Sequence, residues 1–230
     1  LRIVQLSDPH ISSGFPRDWV QAVVDKTNAL KPDLIVITGD LADGPPAWRS
    51  GDLAPLADLR APLGVFSCTG NHEYYWGYQG WMTKSREQGI RPLENAHVVL
   101  ETRGQKLVLA GVTDQAARPS ASPARTCGGP WKARPETPRA SCWPTGPAWW
   151  SRALRKTVDL QLSGHTHGGQ LFGVNQIVGW FNDGFLAGTY HAGRTLLYVS
   201  PGSGLWTGFP LRLFVPSEIT EITLRSGKNG

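Results

Sequence analysis

The sequence has few cysteines and no long apolar run. Its 230 residues include three cysteines, Cys68, Cys127 and Cys142, which are too few for a disulfide framework and show no CxxC spacing. We expect all three to be reduced, with one disulfide and a free thiol as the alternative, so cysteine does not identify the compartment. No apolar stretch approaches the ~18 residues of a membrane-spanning helix. A disulfide-rich scaffold and a helical membrane span within these residues are therefore excluded.

The sequence also lacks an initiator methionine and a recognisable signal peptide. Leu1 lies directly inside an apolar stretch, and no charged region or cleavage site comes before it. We therefore expect this sequence to be a fragment of a longer chain, with any targeting segment upstream of Leu1.

Acidic residues are scarce in one segment. The chain has a net charge of +5 and a pI near 9.3, but residues 118–156 alone carry eight lysines and arginines against one acid, Glu136. The surrounding residues 115–157 show no helical or strand period and hold four of the ten tryptophans. A structureless loop of this length is uncommon inside a compact domain. We expect one domain over residues 1–230, in which residues 115–157 are anomalous and either disordered or frame-shifted.

Apolar periodicity predicts an α/β domain. The hydrophobic fraction is 40% and the charged fraction 18%, as in globular proteins. Strands alternate with helices early in the chain and dominate later, which is typical of a layered α/β fold with a sheet core. The predicted helices cover residues 17–30, 51–59 and 80–88, and the predicted strands cover residues 2–6, 33–38, 64–69, 96–100, 106–112, 159–163, 196–200 and 219–224.

Four of the predicted strands end in side chains that can bind a metal ion. The four pairs are Asp8/His10, Asp40/Asp43, Asn71/His72 and His165/His167. Ligand sites gather at the carboxyl ends of strands in α/β sheets, and residues i and i+2 of an extended segment point to the same side. Carboxylate, imidazole and amide ligands suit Mn²⁺, Fe²⁺, Zn²⁺ or Co²⁺. There are enough ligands for two ions if one carboxylate bridges them, and two ions form a clamp for phosphoryl transfer.

Each pair alone has a simpler interpretation. Asp-x-His is usually a turn or a surface pair, Gly-Asp is common in loops, and Asn-His after glycine is ordinary turn chemistry. Gly-His-x-His is more specific, and four such pairs in order, each after a buried strand, indicate a metal site.

Two further histidines and a group of aromatic residues have weaker signals. His97 precedes an apolar run and is expected to be structural or solvated, whereas His191 is expected in a turn from which it could approach the pocket. The aromatic residues after the third pair are expected to pack a lid, with an apolar channel wall or a lipid interface as the alternatives. They are Tyr74, Tyr75, Trp76, Tyr78 and Trp81.

The four pairs are parts of longer motifs. With their glycines they are Asp8-x-His10, Gly39-Asp40-x-x-Asp43, Gly70-Asn71-His72-Glu73 and Gly164-His165-x-His167. In this form they resemble the motifs of the calcineurin-like metallophosphoesterase family. Residues 71–75 and 163–170 look like its bacterial branch of membrane-associated phosphodiesterases, some members of which cleave the pyrophosphate of UDP-diacylglucosamine. The resemblance covers residues 1–114 and 158–225, and it implies an α/β fold in which a two-sheet β-sandwich is flanked by helices in four layers.

The resemblance implies two divalent ions and a role for each site residue. The ligands of the first ion would be Asp8, His10 and His167, those of the second would be Asn71 and His165, and Asp40 would bridge the two. His72 would lie beside the substrate as a general acid or as a hydrogen-bond donor to the phosphoryl oxygen. Asp43 is expected to orient its loop or a ligand histidine. The resemblance identifies no substrate-binding residue.

One ligand of the family pattern is absent. The family supplies a further histidine for the second ion from an Ala-His-x-Pro type motif before Gly-His-x-His, but no histidine lies between His97 and His165. Cys127 and Cys142 lie in the expected region, but neither ends a recognisable strand. We therefore expect a weakened second metal site and poor or absent turnover.

A frame error would explain the absent histidine and the odd composition together. Residues 141–147 can be encoded by TCC-TGC-TGG-CCC-ACC-GGC-CCN, and reading from the third base gives Leu-Leu-Ala-His-Arg-Pro, the absent motif. An excess of Arg, Pro, Ser, Trp and Cys is what a shifted frame of GC-rich DNA produces. We hypothesise a pair of compensating frame errors around residues 115–157, which resequencing the gene would refute if the natural frame encodes Cys142 and Trp143.

Three functions are compatible with these observations. The first is a metal-dependent hydrolase of a phosphodiester or pyrophosphate, with a small phosphoester or a lipid headgroup as substrate and no specific nucleic-acid partner. The second is a catalytically impaired relative with an incomplete second site. The third is a basic protein that binds nucleic acid or anionic membrane through residues 118–156. By resemblance, we also expect peripheral membrane contact and a membrane-associated location, at the inner face or in the periplasm.

Overall fold

The computed structural model describes residues 1–114, 116, 142–143, 158–171 and 175–225, with the backbone alone at Cys142, Trp143 and Ala192. Its helices are α1 (Arg17–Ala29), α2 (Pro46–Arg49), α3 (Asn71–Trp76), α4 (Tyr78–Glu87) and α5 (Asn175–Phe181), with 3₁₀ helices at Ala54–Asp58 and His167–Gly169. Its strands are β1 (Arg2–Ser7), β2 (Leu34–Thr38), β3 (Val65–Cys68), β4 (Ile90–Pro92), β5 (Ala96–Thr102), β6 (Gln105–Gly111), β7 (Cys142–Trp143), β8 (Leu160–Ser163), β9 (Gly188–Ala192), β10 (Thr195–Val199) and β11 (Thr220–Thr223).

The described strands form three sheets. One is five-stranded, in the order β11-β1-β2-β3-β4, and the others are β8-β10-β9 and β5-β6-β7. Strands β1 to β4 are parallel, and β11 pairs antiparallel with β1. Ser7 pairs with Thr38, and Thr38 pairs with Cys68, so β1, β2 and β3 end level with one another. The loops after these strands therefore leave the sheet at one edge.

Two apolar cores hold the layers together. In the first, α1 and α4 pack on the five-stranded sheet, where Val24 and Trp81 belong to the same cluster as Val4 of β1. In the second, Ile3 of β1 packs in one cluster with Leu109 of β6 and Leu162 of β8. Ile3 and Val4 contribute to different cores because successive side chains of a strand point to opposite faces. The five-stranded sheet is thus covered by helices on one face and by the smaller sheets on the other, and the expected α/β sandwich is confirmed.

The structure adds elements that the sequence patterns did not predict and changes one that they did. The helix predicted over residues 51–59 is a 3₁₀ helix, Ala54–Asp58, preceded by α2. Prolines at the starts of both segments lack the N–H that a continuous helix requires. The helices α3 and α5 and the strands β4 and β9 were not predicted. His191 is on β9, paired with Leu196, and not in a turn as expected.

Strand β7 changes the interpretation of Cys142. Cys142 and Trp143 run parallel to β6, opposite Ala110 and Gly111, and β7 also contacts β8. Cys142 thus begins a two-residue strand that the sequence patterns did not predict, and it does not end a strand, as expected. Cys127 and the rest of the anomalous segment, including its expected disorder, lie outside the described residues. Cys68 is a buried free thiol, and no helix in the described ranges has the length and apolar composition of a membrane span.

Candidate metal centre

Three predicted ligands, which follow strands of two different sheets, meet at the edge of the five-stranded sheet where β1, β2 and β3 end. Asp8 and His10 follow β1, His167 follows β8, and each offers a ligand atom that lies within 4.8 Å of the other two. The Nε2 atoms of His10 and His167 are 3.0 Å apart, and all three side chains are buried. One carboxylate and two imidazoles that converge in this way can hold a divalent ion.

Asp8 joins the two sheets at this edge. The backbone N–H of His165 donates to both carboxylate oxygens of Asp8, at 2.9 and 3.0 Å. Burial and the charge of Asp40 raise the pKa of Asp8 well above its usual value. No lysine or arginine in the described part of the chain forms an ion pair with Asp8 or Asp40. A divalent cation fits this pair of buried carboxylates, because its charge would stabilise their ionised forms.

Asp40 belongs to a second group, with His10 and His72. Their ligand atoms also lie within 4.8 Å of one another, and the backbone N–H of His72 donates to Asp40 Oδ1 at 2.9 Å. Next to His72, the side-chain oxygen of Asn71 is buried without a hydrogen-bond partner. A buried amide oxygen without a hydrogen-bond partner suits a metal ligand, because an unsatisfied buried acceptor is costly.

A buried glutamate fixes the loop that carries Asp40. The carboxylate of Glu73 accepts the N–H groups of Asp40 and Leu41, at 3.2 and 2.7 Å, and also that of Gly70. The bond to Gly70 caps the first turn of α3. Burial and the charge of Asp40 raise the pKa of Glu73 to about 7. Glu73 therefore couples the start of α3 to the loop after β2.

Asp43 connects the predicted ligand His10 to His72. Its Oδ1 atom lies 3.0 Å from His10 Nδ1 and 2.5 Å from His72 Nδ1, and its Oδ2 atom accepts the hydroxyl of Thr207 at 2.7 Å. Burial alone would raise the pKa of Asp43, but the hydrogen bonds to His10 and His72 lower it well below its usual value. Asp43 is therefore an anion that holds the Nδ1–H tautomer of His10 and leaves Nε2 free to bind a metal ion.

The same carboxylate controls the protonation of His72. Burial lowers the pKa of His72, but the hydrogen bond to Asp43 and the charges of Asp40 and Asp43 outweigh that effect and raise it to about 9. Nearby, burial and the positive fields of His10 and Arg212 lower the pKa of His167 well below its usual value. The hydrogen bond to Asp43 thus favours the protonated form of His72, and burial favours the neutral imidazole of His167, the form that can bind a metal ion.

Five of the predicted ligands have strained backbone. Their φ angles are 46° at Asp8, 45° at His10, 50° at Asp40, 73° at His165 and 50° at His167. This left-handed region is uncommon for residues other than glycine, and each instance costs about 1–3 kcal/mol. Such strain persists where the surrounding structure imposes it, and it concentrates at ligand sites.

The structure does not bring every predicted residue into the two groups. The His165 side chain is exposed, and neither group of three ligands found in the described residues contains it. His97, on β5, and His191, on β9, are exposed outside the cluster. Among the aromatic residues, Trp81 is 1% exposed in the core, whereas Tyr75 and Trp76 are exposed and the Tyr75 ring lies 5.6 Å from that of His72.

Three functional contacts were not predicted from the sequence. Glu73 was part of a recognised motif, and its spacing from Gly70 is the capping pattern that could have identified α3. Thr207 contacts Asp43, and Arg212 contacts His167. Both contacts join residues that are more than 40 positions apart in the sequence. No local pattern marks either residue, because each lies in a loop and acts through long-range contacts.

Gly164 allows β8 to approach Asp8, and we predict that Gly164→Ala disrupts the metal centre. An alanine Cβ would lie 1.9 Å from Ser7 Oγ and 2.1 Å from Asp8 Oδ2. We expect weaker Mn²⁺ binding in equilibrium dialysis and a loss of about 1–3 kcal/mol in the free energy of unfolding by urea. Gly179→Ala is the matched control, because its Cβ would meet nothing within 4 Å. Wild-type Mn²⁺ affinity in Gly164→Ala would contradict this account.

Known proteins are similar in sequence to this chain over nearly its whole length. A profile of the calcineurin-like phosphoesterase family matches residues 1–169. The chain is 34% identical over 243 residues to a Danio rerio protein named transmembrane protein with metallophosphoesterase domain, with 98% of this chain and 53% of that protein covered. It is 33% identical over 237 residues to the uncharacterized metallophosphoesterase YkuE of Bacillus subtilis, with 98% and 79% covered.

A solved structure agrees with the fold. The NAD nucleotidase of Haemophilus influenzae superposes with a TM-score of 0.56 at 15% identity, over 88% of this chain and 45% of that one. The chain spans about half the length of the Danio rerio relative. Its relatives include animal and bacterial proteins, so the bacterial branch stays a prediction. The profile match over residues 1–169 and the identity to YkuE show that the chain belongs to the calcineurin-like metallophosphoesterase family.

Proposed function

We propose that this chain hydrolyses a phosphodiester or pyrophosphate with two divalent ions, the second more weakly held than the first. The observation that carries the proposal is the buried convergence of Asp8, His10 and His167 beside Asp40. Family members are phosphoester hydrolases, and divalent ions supply them with an acidified water and with charge that offsets the phosphoryl oxygens. Asp8, His10 and His167 would hold the first ion, and Asp40 would lie between the two.

Two residues of the chain govern the proton transfer: His72 carries the proton, and Asp43 holds the His72 ring. Because Nδ1 of His72 bonds to Asp43, Nε2 is the nitrogen left to exchange a proton with the substrate. Although burial lowers the pKa of His72, the hydrogen bond to Asp43 and the nearby carboxylates raise it, which favours the protonated form and suits a general acid or a donor to a phosphoryl oxygen. The neighbouring rings of His10 and Tyr75 restrict the orientation of its imidazole.

Hydrolysis of bis-p-nitrophenyl phosphate with added Mn²⁺ tests this function. We expect turnover that falls at least about a hundredfold in Asp40→Asn, because a metal clamp contributes several kcal/mol of transition-state stabilisation and about 1.4 kcal/mol corresponds to tenfold in rate. Asp58→Asn removes an exposed carboxylate away from the cluster and is the control. Equal rates in Asp40→Asn and wild type would show that the hydrolysis arises elsewhere. No turnover by the wild type would favour the catalytically impaired relative.

The second ion is expected to bind weakly. Asn71 offers a free amide oxygen, but the His165 ring is exposed and no described group of three ligands includes it. After overnight dialysis against buffer without metal, we expect inductively coupled plasma mass spectrometry to find about one ion per chain. Two tightly held ions per chain would contradict the weakened second site.

We further propose that the substrate is a lipid headgroup reached from a membrane surface. Two segments near the site carry exposed apolar side chains, which we call the apolar rim. Its residues are Ile177, Trp180, Phe181, Trp206, Phe209, Leu211, Leu213 and Phe214. Trp180 is 80% exposed and Phe214 is 89% exposed.

Backbone contacts place the apolar rim beside the metal centre. Leu213 donates its N–H to Gln170 O, three residues after His167, and α5 packs against the 3₁₀ helix that contains His167. Exposed clusters of Trp, Phe and Leu are typical of surfaces that insert into the lipid interface. The name of the Danio rerio relative contains the words transmembrane protein, which is consistent with a substrate at a membrane surface.

Vesicle sedimentation tests the lipid proposal independently of catalysis. With Asp40→Asn as the parent and phosphatidylcholine–phosphatidylglycerol vesicles, we expect Phe214→Glu to weaken binding about tenfold or more, because burying a Phe contributes ~1.5–3 kcal/mol. Val99→Glu changes an exposed apolar residue of β5 outside the apolar rim and is the control. Equal binding by the two variants, or no binding by the parent, would rule out the apolar rim as the membrane surface.

A further inference from the structure

A loop near the C-terminal end of the chain packs against the metal centre. Residues 201–216, which we call the C-terminal loop, lie beyond the residues 1–169 that the family profile matches. Ser203 N–H donates to Ser7 O at 2.7 Å, and Gly204 N–H donates to Asp8 O at 3.1 Å. The C-terminal loop is thus hydrogen-bonded to the backbone of Ser7 and Asp8, and Asp8 is the first predicted ligand in the chain.

The turn at residues 201–204 lies close to the predicted ligands Asp8 and His167, because it has glycines at positions 202 and 204. A Cβ at Gly202 would lie 3.2 Å from His167 Nδ1 and 3.4 Å from the Cβ of Asp8. A Cβ at Gly204 would lie 1.9 Å from Pro9 O, inside the Asp8-to-His10 segment. The position of this turn therefore determines how much room the Asp8 and His167 side chains have.

Arg212 holds that turn in place. Its guanidinium donates to Pro201 O at 3.0 Å and Gly204 O at 2.6 Å, and through the other terminal nitrogen to Pro216 O at 3.2 Å. The nitrogen that bonds to the turn also lies 3.4 Å from His167 Nδ1. No carboxylate in the described ranges forms an ion pair with Arg212. The Arg212 guanidinium donates instead to backbone carbonyls at both ends of the C-terminal loop, and so it acts as a brace that links the turn at residues 201–204 to Pro216.

Thr207 makes the second contact from the same loop. Its hydroxyl donates to Asp43 Oδ2 at 2.7 Å, while Oδ1 of that carboxylate meets Nδ1 of both His10 and His72. With both oxygens engaged, Asp43 cannot rotate without losing a hydrogen bond. The C-terminal loop thus reaches all three ligands of the first ion, through the turn at Asp8 and His167 and through Asp43 at His10.

We propose that Arg212 and Thr207 are positioning residues for the first metal ion, Arg212 by fixing the turn behind Asp8 and His167 and Thr207 by fixing the carboxylate that orients His10. The inference rests on the proposed metal-dependent function. It adds residues outside the matched profile to the set on which metal affinity depends. Partners of metal ligands typically change affinity 10–100-fold when removed.

Mn²⁺ titration of EDTA-stripped protein, followed by electron paramagnetic resonance of free Mn²⁺, tests the proposal. We expect Arg212→Met and Thr207→Val each to weaken the tightest Mn²⁺ site about 10–100-fold. Thr207→Ser keeps the hydroxyl and should restore wild-type affinity. Arg194→Met removes an exposed arginine that pairs with Asp159, and it should bind as the wild type does.

Thermal unfolding in EDTA separates positioning from general stability. A purely structural brace would lower the melting temperature of Arg212→Met without changing the Mn²⁺ affinity of the folded protein, and that result would overturn the role of Arg212. If Arg212→Met does not fold, the comparison of Thr207→Val with Thr207→Ser decides: equal affinity in the two overturns the proposal, and weaker binding by Thr207→Val alone supports it. Wild-type protein that binds no Mn²⁺ would instead refute the proposed function on which the inference rests.

Discussion

The close contact of two sheets at Asp8 is the constraint on which the site depends. Gln5 of β1 donates from its side chain to Ser163 O at 3.1 Å, and the next residue, Gly164, has no side chain to keep β8 away. The N–H of His165 can then reach the Asp8 carboxylate. This contact fixes the distance between residues 8–10 and residues 165–167, which are more than 150 positions apart in the chain. Without it, His10 and His167 would not share a centre.

The cluster is arranged around buried negative charge. Asp8, Asp40 and Asp43 are all less than 9% exposed, and their hydrogen bonds come from backbone N–H groups, hydroxyls and imidazoles rather than from lysine or arginine. Hydrogen bonds of this kind orient a carboxylate but neutralise its charge only in part. Asp43 is compensated by two histidines, whereas burial, and after it the charge of Asp40, raise the pKa of Asp8. A fold with this charge distribution is best stabilised by a bound cation.

The sequence predicted the parts of this structure that depend on local pattern. Apolar runs located β1, β2, β3 and β8, and the polar pairs after them include Asp8, His10, Asp40, His72 and His167, which the fold brings together. Short elements such as β4 and α5 carry too few residues for a period to show. The backbone strain at Asp8 and the orphaned oxygen of Asn71 depend on three-dimensional packing. Thr207 and Arg212 act from a loop without regular structure, so no spacing rule could have linked them to Asp43 and His167.

The pairing of β1 with β11 has a consequence for anything joined to this domain. The N-terminal amino group of Leu1 donates to Leu224 O at 2.9 Å, so the chain enters and leaves the sheet side by side. Both points lie at the start of β1, about 20 Å of extended strand from Asp8 at a rise of ~3.3 Å per residue. A tether attached at either end would emerge on the side facing away from the ligands and leave the mouth of the site clear.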